Sequence, residues 1–198
     1  IARYGDDKCA AFIFQQMGAL HWEEVFSDEW EKHDLHYTTG RILGITNDHR
    51  VDLAAIDEDG LGSGPFDTLV KGRGLDYFVG FRNPAIGYQQ NKSFGNVRTV
   101  NAYKFKDAVV KGHRHIKTQK VIDELLTIKY TFDNNQRRIL VSKDKIKKDG
   151  FKSPNLADAV IMAESLIGQV NQKQERQYEP QAQSYSQEDN LFKLAGIR

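Results

Sequence analysis

The sequence predicts a mixed α/β or α+β domain built on a central sheet. Three observations carry that prediction: two strand-like runs near the amino terminus, alternating helices and strands after them, and a last helix returning to the sheet. A chain of 198 residues is long enough for one domain with a real core. Its apolar fraction of 39% and charged fraction of 28% are those of a soluble globular protein, the class expected here.

The elements follow in order. Cys9–Phe14 is a continuous apolar run rich in β-formers and reads as a buried strand. Gln15 to Gly18 then forms a turn, and Ala19–Phe26 pairs back as a second strand. The stretch Leu35–Tyr37 is ambiguous and could hold a third strand. Thr38–Asp48, with Ile42, Leu43 and Ile45, suits an amphipathic helix. Val51–Ile56 is a short strand ending in the acidic cluster Asp57-Glu58-Asp59. Pro65–Lys71 is a helix stopped at Gly72, and Leu75–Phe81 a further strand.

Val97–Val110 reads as a helix closed by Gly112, and Thr118–Leu126 as another. Thr127–Phe132 and Arg137–Ser142 flank Asp133-Asn134-Asn135-Gln136, a β-hairpin signature. Ser153 as N-cap and Pro154 at the first helical position launch a helix through Ile167 that stops at Gly168. Residues 169–190 carry seven Gln and few large apolar residues, so a flexible tail is expected. The apolar end Leu191–Ile197 is either a docking peptide on that tether or an inert end. The expected division is thus a domain over residues 1–168 and a tail over 169–198.

Composition narrows the setting. No apolar run approaches the ~20 residues that span a bilayer, and the polar amino terminus predicts no secretory leader. One cysteine, Cys9, excludes an internal disulfide framework and a multi-cysteine zinc site, and a reducing compartment fits. Charge is divided along the chain. Residues 1–60 hold 5 Lys/Arg against 13 Asp/Glu, a balance of −8; residues 92–152 hold 16 against 6, a balance of +10. Such a split suits a carboxylate metal site beside a surface for a polyanion, and equally a set of solvated helix faces.

Hydrolysis of a phosphodiester near neutral pH needs an activated water and neutralised phosphoryl charge. Two magnesium ions about 3.5–4 Å apart supply both, and they require hard oxygen ligands from several Asp or Glu side chains. Asp6 and Asp7 precede the first strand, Asp57 ends the strand Val51–Ile56 with Asp59 close behind, and Asp158 lies one turn into the last helix. Asp158 stands among Leu156, Ala157, Ala159, Val160 and Ile161, an unusual place for an acid. The plainer readings are a macrodipole carboxylate for Asp158, a loop acid for Asp57 and a turn former for Asp6.

These residues carry a resemblance. Ala2-Arg3-Tyr4-Gly5-Asp6-Asp7-Lys8 resembles the first-strand motif of tailed-phage large terminase nuclease domains. Ile56-Asp57-Glu58-Asp59-Gly60-Leu61-Gly62-Ser63-Gly64 is similar to their second motif, an Asp followed by a glycine-rich turn. Ser142-Lys143-Asp144 and Ser153-Pro154-Asn155-Leu156-Ala157-Asp158-Ala159 resemble their last motifs, in the same order. The resemblance spans Ile1 to Gly168. It implies a ribonuclease H-like fold, with a central mixed sheet flanked by helices and a β-hairpin near the active site. It further implies a metal-dependent endonuclease that cuts concatemeric viral DNA, using two Mg²⁺ or Mn²⁺ ions.

By that resemblance Asp57 and Asp158 match metal-binding catalytic acids, and Asp6 an accessory one. The family's first catalytic Asp falls immediately before Ile1: either the protein carries it there, ahead of these residues, or it lacks that ligand and Asp6 or Asp7 would have to compensate. The implied partners are double-stranded DNA, a portal protein, a small terminase subunit and an ATPase motor domain of the same polypeptide. No phosphate loop ending in Lys-Ser/Thr occurs in these residues. The implied location is the host cell cytoplasm, without membrane.

Arg137, Arg138, Lys143 and Lys145, with Lys147 and Lys148, cluster on and after the hairpin and are candidates to hold DNA phosphates; a solubilising hairpin is the alternative. His113-Arg114-His115 lacks a third ligand and reads as a solvated loop, and Gly60, Gly62 and Gly64 as a tight turn beside Asp57. A junction-resolvase-like nuclease and a catalytically silent DNA-binding or portal-docking module are the competing functions.

Overall fold

The computed structural model describes residues 8–59, 62–87 and 89–178, with side chains up to residue 170. Asp6 and Asp7, Gly60 and the carboxyl-terminal 20 residues, including Leu191–Ile197, lie outside the described residues. The chain divides into two compact units, residues 1–167 and 168–198.

A two-stranded antiparallel ribbon opens the first unit. β1 (Cys9–Gln16) pairs with β2 (Trp22–Trp30), starting at Cys9↔Trp30 and ending at Gln16↔Trp22. The ribbon carries a bulge: Ile13 faces Phe26 and Phe14 faces Glu24, so Val25 is the extra residue. β2 begins at Trp22 and not at Ala19, because the loop closes with the Met17 amide donating to the His21 carbonyl at 2.9 Å.

Leu35–Tyr37 is not a strand. Asp34 caps a helix there, accepting from the Tyr37 amide at 2.7 Å, so α1 runs Leu35–Asp48. β3 (Ala54–Asp57) and β4 (Phe78–Phe81) are parallel, in register from Ala54↔Phe78 to Asp57↔Phe81. α2 (Ser63–Arg73) connects them, passing through Gly72 and ending at Gly74, whose φ of 86° is the left-handed conformation glycine adopts most readily. Ile56, Phe66, Leu69 and Phe78 are buried between this crossover and Ile42 and Leu43 of α1.

α3 (Val97–Val110) is capped by Asn96, which accepts from the Thr99 amide at 2.9 Å. His113–His115, expected as a loop, contains β5 (Arg114–His115), which adds to β2 in parallel. Arg114 turns inward and meets Glu164 through Nε at 2.7 Å and Nη2 at 2.9 Å, a bidentate pair that accounts for both buried charges. α4 (Gln119–Thr127) follows, then the hairpin β6 (Tyr130–Phe132) and β7 (Arg138–Leu140), with Tyr130↔Leu140 and Phe132↔Arg138 as cross-strand pairs. α5 (Lys143–Lys148), absent from the sequence reading, is capped by Ser142.

α6 runs Asn155–Tyr178, so it continues through Gly168. A single helical glycine costs only about 1 kcal/mol relative to alanine and does not by itself stop a helix. Its start is capped by Glu124 of α4, whose Oε2 accepts the amides of Leu156 at 2.8 Å and Ala157 at 3.1 Å. Phe105, Val121, Leu156 and Val160 form a second buried cluster, covered by Ala10, Phe12 and Phe14 of β1. Among the described residues no helix is long and apolar enough to cross a membrane.

Candidate active site

The parallel pair β3 and β4 aims both carboxyl ends the same way, the end of such sheets where functional groups collect. Asp57 is the last residue of β3, and its Oδ1 accepts from the Asp59 amide at 3.1 Å, shaping the acidic turn. Beside it the Arg82 guanidinium pairs with Glu58 and holds that carboxyl below the usual range.

From this turn a chain of hydrogen bonds leads to the other acid. Asp59 Oδ2 accepts from the Asn83 amide at 3.1 Å, just beyond β4, and Asn83 Oδ1 accepts from the Arg98 amide at 3.0 Å in the first turn of α3. The Arg98 side chain then donates through Nε to Asp158 Oδ1 at 2.8 Å and through Nη1 to the Val141 carbonyl at 3.3 Å. Lys143 Nζ meets the other oxygen, Asp158 Oδ2, at 2.8 Å. The strand end bearing Asp57 and the helix bearing Asp158 are thereby tied together by Asn83 and Arg98.

Asp158 is held where an isolated charge would be expensive. Leu156, Ala157, Val160 and Ile161 around it are buried, and its own side chain is 13% exposed. Two cations compensate it. Arg98 is as enclosed as its partner, at 13%, whereas Lys143 is 41% exposed. Arg98 is therefore the enclosed partner and Lys143 the one open to solvent.

Among the described residues no group of three or more His, Cys, Asp or Glu is gathered closely enough to hold a metal ion. The candidate donors there are Asp57 and Asp158, hard oxygen ligands of the kind Mg²⁺ and Mn²⁺ take. Each Asp158 oxygen already faces a positive group, so an ion bound there would have to take the place of the Lys143 ammonium on Oδ2. By donor chemistry the two carboxylates fit a hard divalent ion.

Lys145 and Arg138 are exposed, on α5 and β7. Arg137, expected among the DNA contacts, is instead 6% exposed. Its Nε donates to Asp133 Oδ2 at 2.8 Å and its Nη1 to the Ile86 carbonyl, so the charge fastens the hairpin turn and does not reach solvent. Asn83 and Arg98 escaped the sequence reading. Asn96 as a helix cap was the available signal, since it puts Arg98 in a first turn, but Arg98 and Asp158 are 60 residues apart.

No protein-family model matches the chain, and no curated protein sequence matches it. Solved structures do. The nuclease domain of the large terminase subunit gp2 of bacterial virus Sf6 superposes with a TM-score of 0.62 at 20% identity, over 79% of this chain and 87% of that one. The chain has the fold of phage large terminase nuclease domains. This is the ribonuclease H-like fold. The large terminase nuclease of thermophilic phage G20c, with bound magnesium, matches with a TM-score of 0.51 at 11% identity, over 82% of this chain and 83% of that one. A K428A mutant of the Sf6 domain with manganese and β-thujaplicinol gives 0.63 at 19% identity, over 81% and 89%.

Proposed function

We propose that this chain is a divalent-metal-dependent endonuclease that cuts double-stranded concatemeric DNA during viral genome packaging. The observation that carries the reading is Asp158, a carboxylate set into a buried helix turn, faced by two cations and tethered through Arg98 and Asn83 to the strand end of Asp57. The fold supports it, since the similar structures are nuclease domains, some with bound manganese or magnesium.

In this reading Asp57 and Asp158 hold two Mg²⁺ or Mn²⁺ ions, with Asp6 assisting. When bound, such ions offset charge on the transferring phosphoryl group and make water more acidic. The rest falls to the protein's own residues. Arg98 fixes the orientation of Asp158 by occupying Oδ1. Lys143, more exposed, releases Oδ2 and turns toward a phosphate oxygen. Lys145 and Arg138 hold the backbone of the duplex, giving affinity without sequence preference. Beyond DNA, the partners in this setting are the portal protein, the small terminase subunit and an ATPase motor domain of the same polypeptide, in the host cell cytoplasm.

The test is incubation of the protein with supercoiled plasmid and Mg²⁺ or Mn²⁺, with and without a chelator. Nicking and linearisation that the chelator stops support the nuclease. DNA binding with intact plasmid supports a silent binding module instead, and preferential cutting of branched DNA supports a resolvase.

A further inference from the structure

The hairpin carries a feature that phosphate contact leaves unexplained. Tyr130 and Phe132, two residues apart on β6 and so on one face, are 52% and 53% exposed. Their rings meet edge to face at 5.7 Å, and Tyr130 meets Tyr103 of α3 at 6.4 Å. Tyr103 in turn has Phe94 at 4.8 Å, with the Arg138 guanidinium 5.6 Å and Lys106 Nζ 5.5 Å from its ring centroid. The result is a run of aromatic rings, with Tyr130 and Phe132 exposed at its outer end and both cations over the Tyr103 ring.

Anchoring the hairpin does not require this row. β7 is fastened on its far side: the Gly95 amide donates to the Arg138 carbonyl, and the Arg138 amide to the Ser93 carbonyl, both at 2.9 Å. The Leu140 amide donates to the buried Thr99 Oγ1 at 2.9 Å, and Leu140 is itself buried. Among the described residues β6 pairs only with β7, and all three of its residues are exposed. An outer strand presenting aromatic faces to water is normally avoided, which points to a ligand.

We propose that Tyr103, Tyr130 and Phe132, with Arg138 and Lys106, form a platform on which unpaired bases of single-stranded DNA stack. A protein partner fits less well, since lysine is depleted from protein interfaces, whereas Lys106, one turn on from Tyr103 in α3, is exposed and lies over its ring. Duplex DNA fits less well too, because its base faces are stacked on one another and only edges and phosphates are offered. Exposed aromatic faces with cations beside them are what a single strand requires: rings for the bases and positive charge for the phosphates. The platform would receive the strand where a duplex end or a cut has come apart. This rests on the DNA-binding half of the proposed function and is independent of the chemistry.

The test is fluorescence anisotropy with labelled oligothymidylate and with a labelled duplex, in chelator so that no cutting occurs. Tyr130→Leu and Phe132→Leu keep an apolar side chain on the exposed strand but remove the ring, and Tyr130→Phe keeps the ring. Each Leu variant is expected to weaken oligothymidylate binding about 5- to 100-fold while duplex affinity changes less than about 2-fold, and Tyr130→Phe to bind as the parent does. The loss should persist as salt is raised, since stacking releases no counterions. Unchanged oligothymidylate affinity in both Leu variants, or an equal loss with duplex, overturns the platform. Failure of the parent to bind either DNA would overturn it together with the DNA-binding reading; binding of duplex alone would overturn only the platform.

Discussion

Arg98 and Asp158, 60 residues apart in the chain, form an enclosed ion pair, Nε to Oδ1 at 2.8 Å, in which both side chains are 13% exposed. The pair joins α3 to α6. Through Asn83 it also reaches the turn that follows Asp57. Removing one partner leaves the other charged in poor surroundings. Arg98→Ala should cost about 3 kcal/mol, the low end for a broken buried pair, because Lys143 still faces Oδ2. Arg98→Lys should recover part of that. Urea denaturation of the three proteins checks it, and unchanged midpoints would contradict the pair's importance.

Glu124 holds the start of α6, and so the position of Asp158, by accepting two amides. Glu124→Ala should lose about 1–2 kcal/mol, as for other lost helix caps, and Glu124→Gln less. Burial raises the Glu124 carboxyl above the usual range. An acid with a raised folded pKa contributes stability that is full below its unfolded pKa and is lost as pH rises through the folded one. The parent should therefore lose stability relative to Glu124→Gln as pH rises from about 4. Denaturation midpoints of both proteins across that interval give the answer; parallel curves would refute it.

Asp133 has the opposite sign. Amides of Arg137 and Asn135, with the Arg137 side chain, hold its carboxyl below the usual range. Its contribution is present above about pH 4 and disappears as pH falls through the lowered folded value. Asp133→Asn should loosen the hairpin at neutral pH, since Arg137 is buried and loses its counter-ion. Hydrogen exchange should then speed up at the Arg137 and Gly95 amides and leave β1 and β2 unchanged.

Much of this was legible in the sequence because local chemistry marks it. The ribbon from Cys9, the α3 and α6 segments and the hairpin around Asp133–Gln136 follow from apolar runs, caps and turn formers. Asp158 stood out because an acid among buried apolar residues is rare. What local reading missed depends on distant partners. β5 is two residues long and exists by pairing with β2, and the α6 cap comes from Glu124 on another helix. Arg137 looked like a DNA contact because its charge is visible in sequence, whereas its burial against Asp133 and the Ile86 carbonyl is not. Asn83 and Arg98 have no motif at all; only the fold joins them to the acids.

In the proposed function Asp57 and Asp158 are the working pair of acids. The decisive measurement is plasmid cleavage by Asp57→Ala and Asp158→Asn, assayed beside the parent in Mg²⁺ or Mn²⁺, with circular dichroism to confirm folding. The parent should nick and linearise the plasmid until a chelator is added, and each folded variant should lose at least about a hundredfold in rate. Cleavage at the parent's rate by either folded variant would rule out that acid as a working member of the pair.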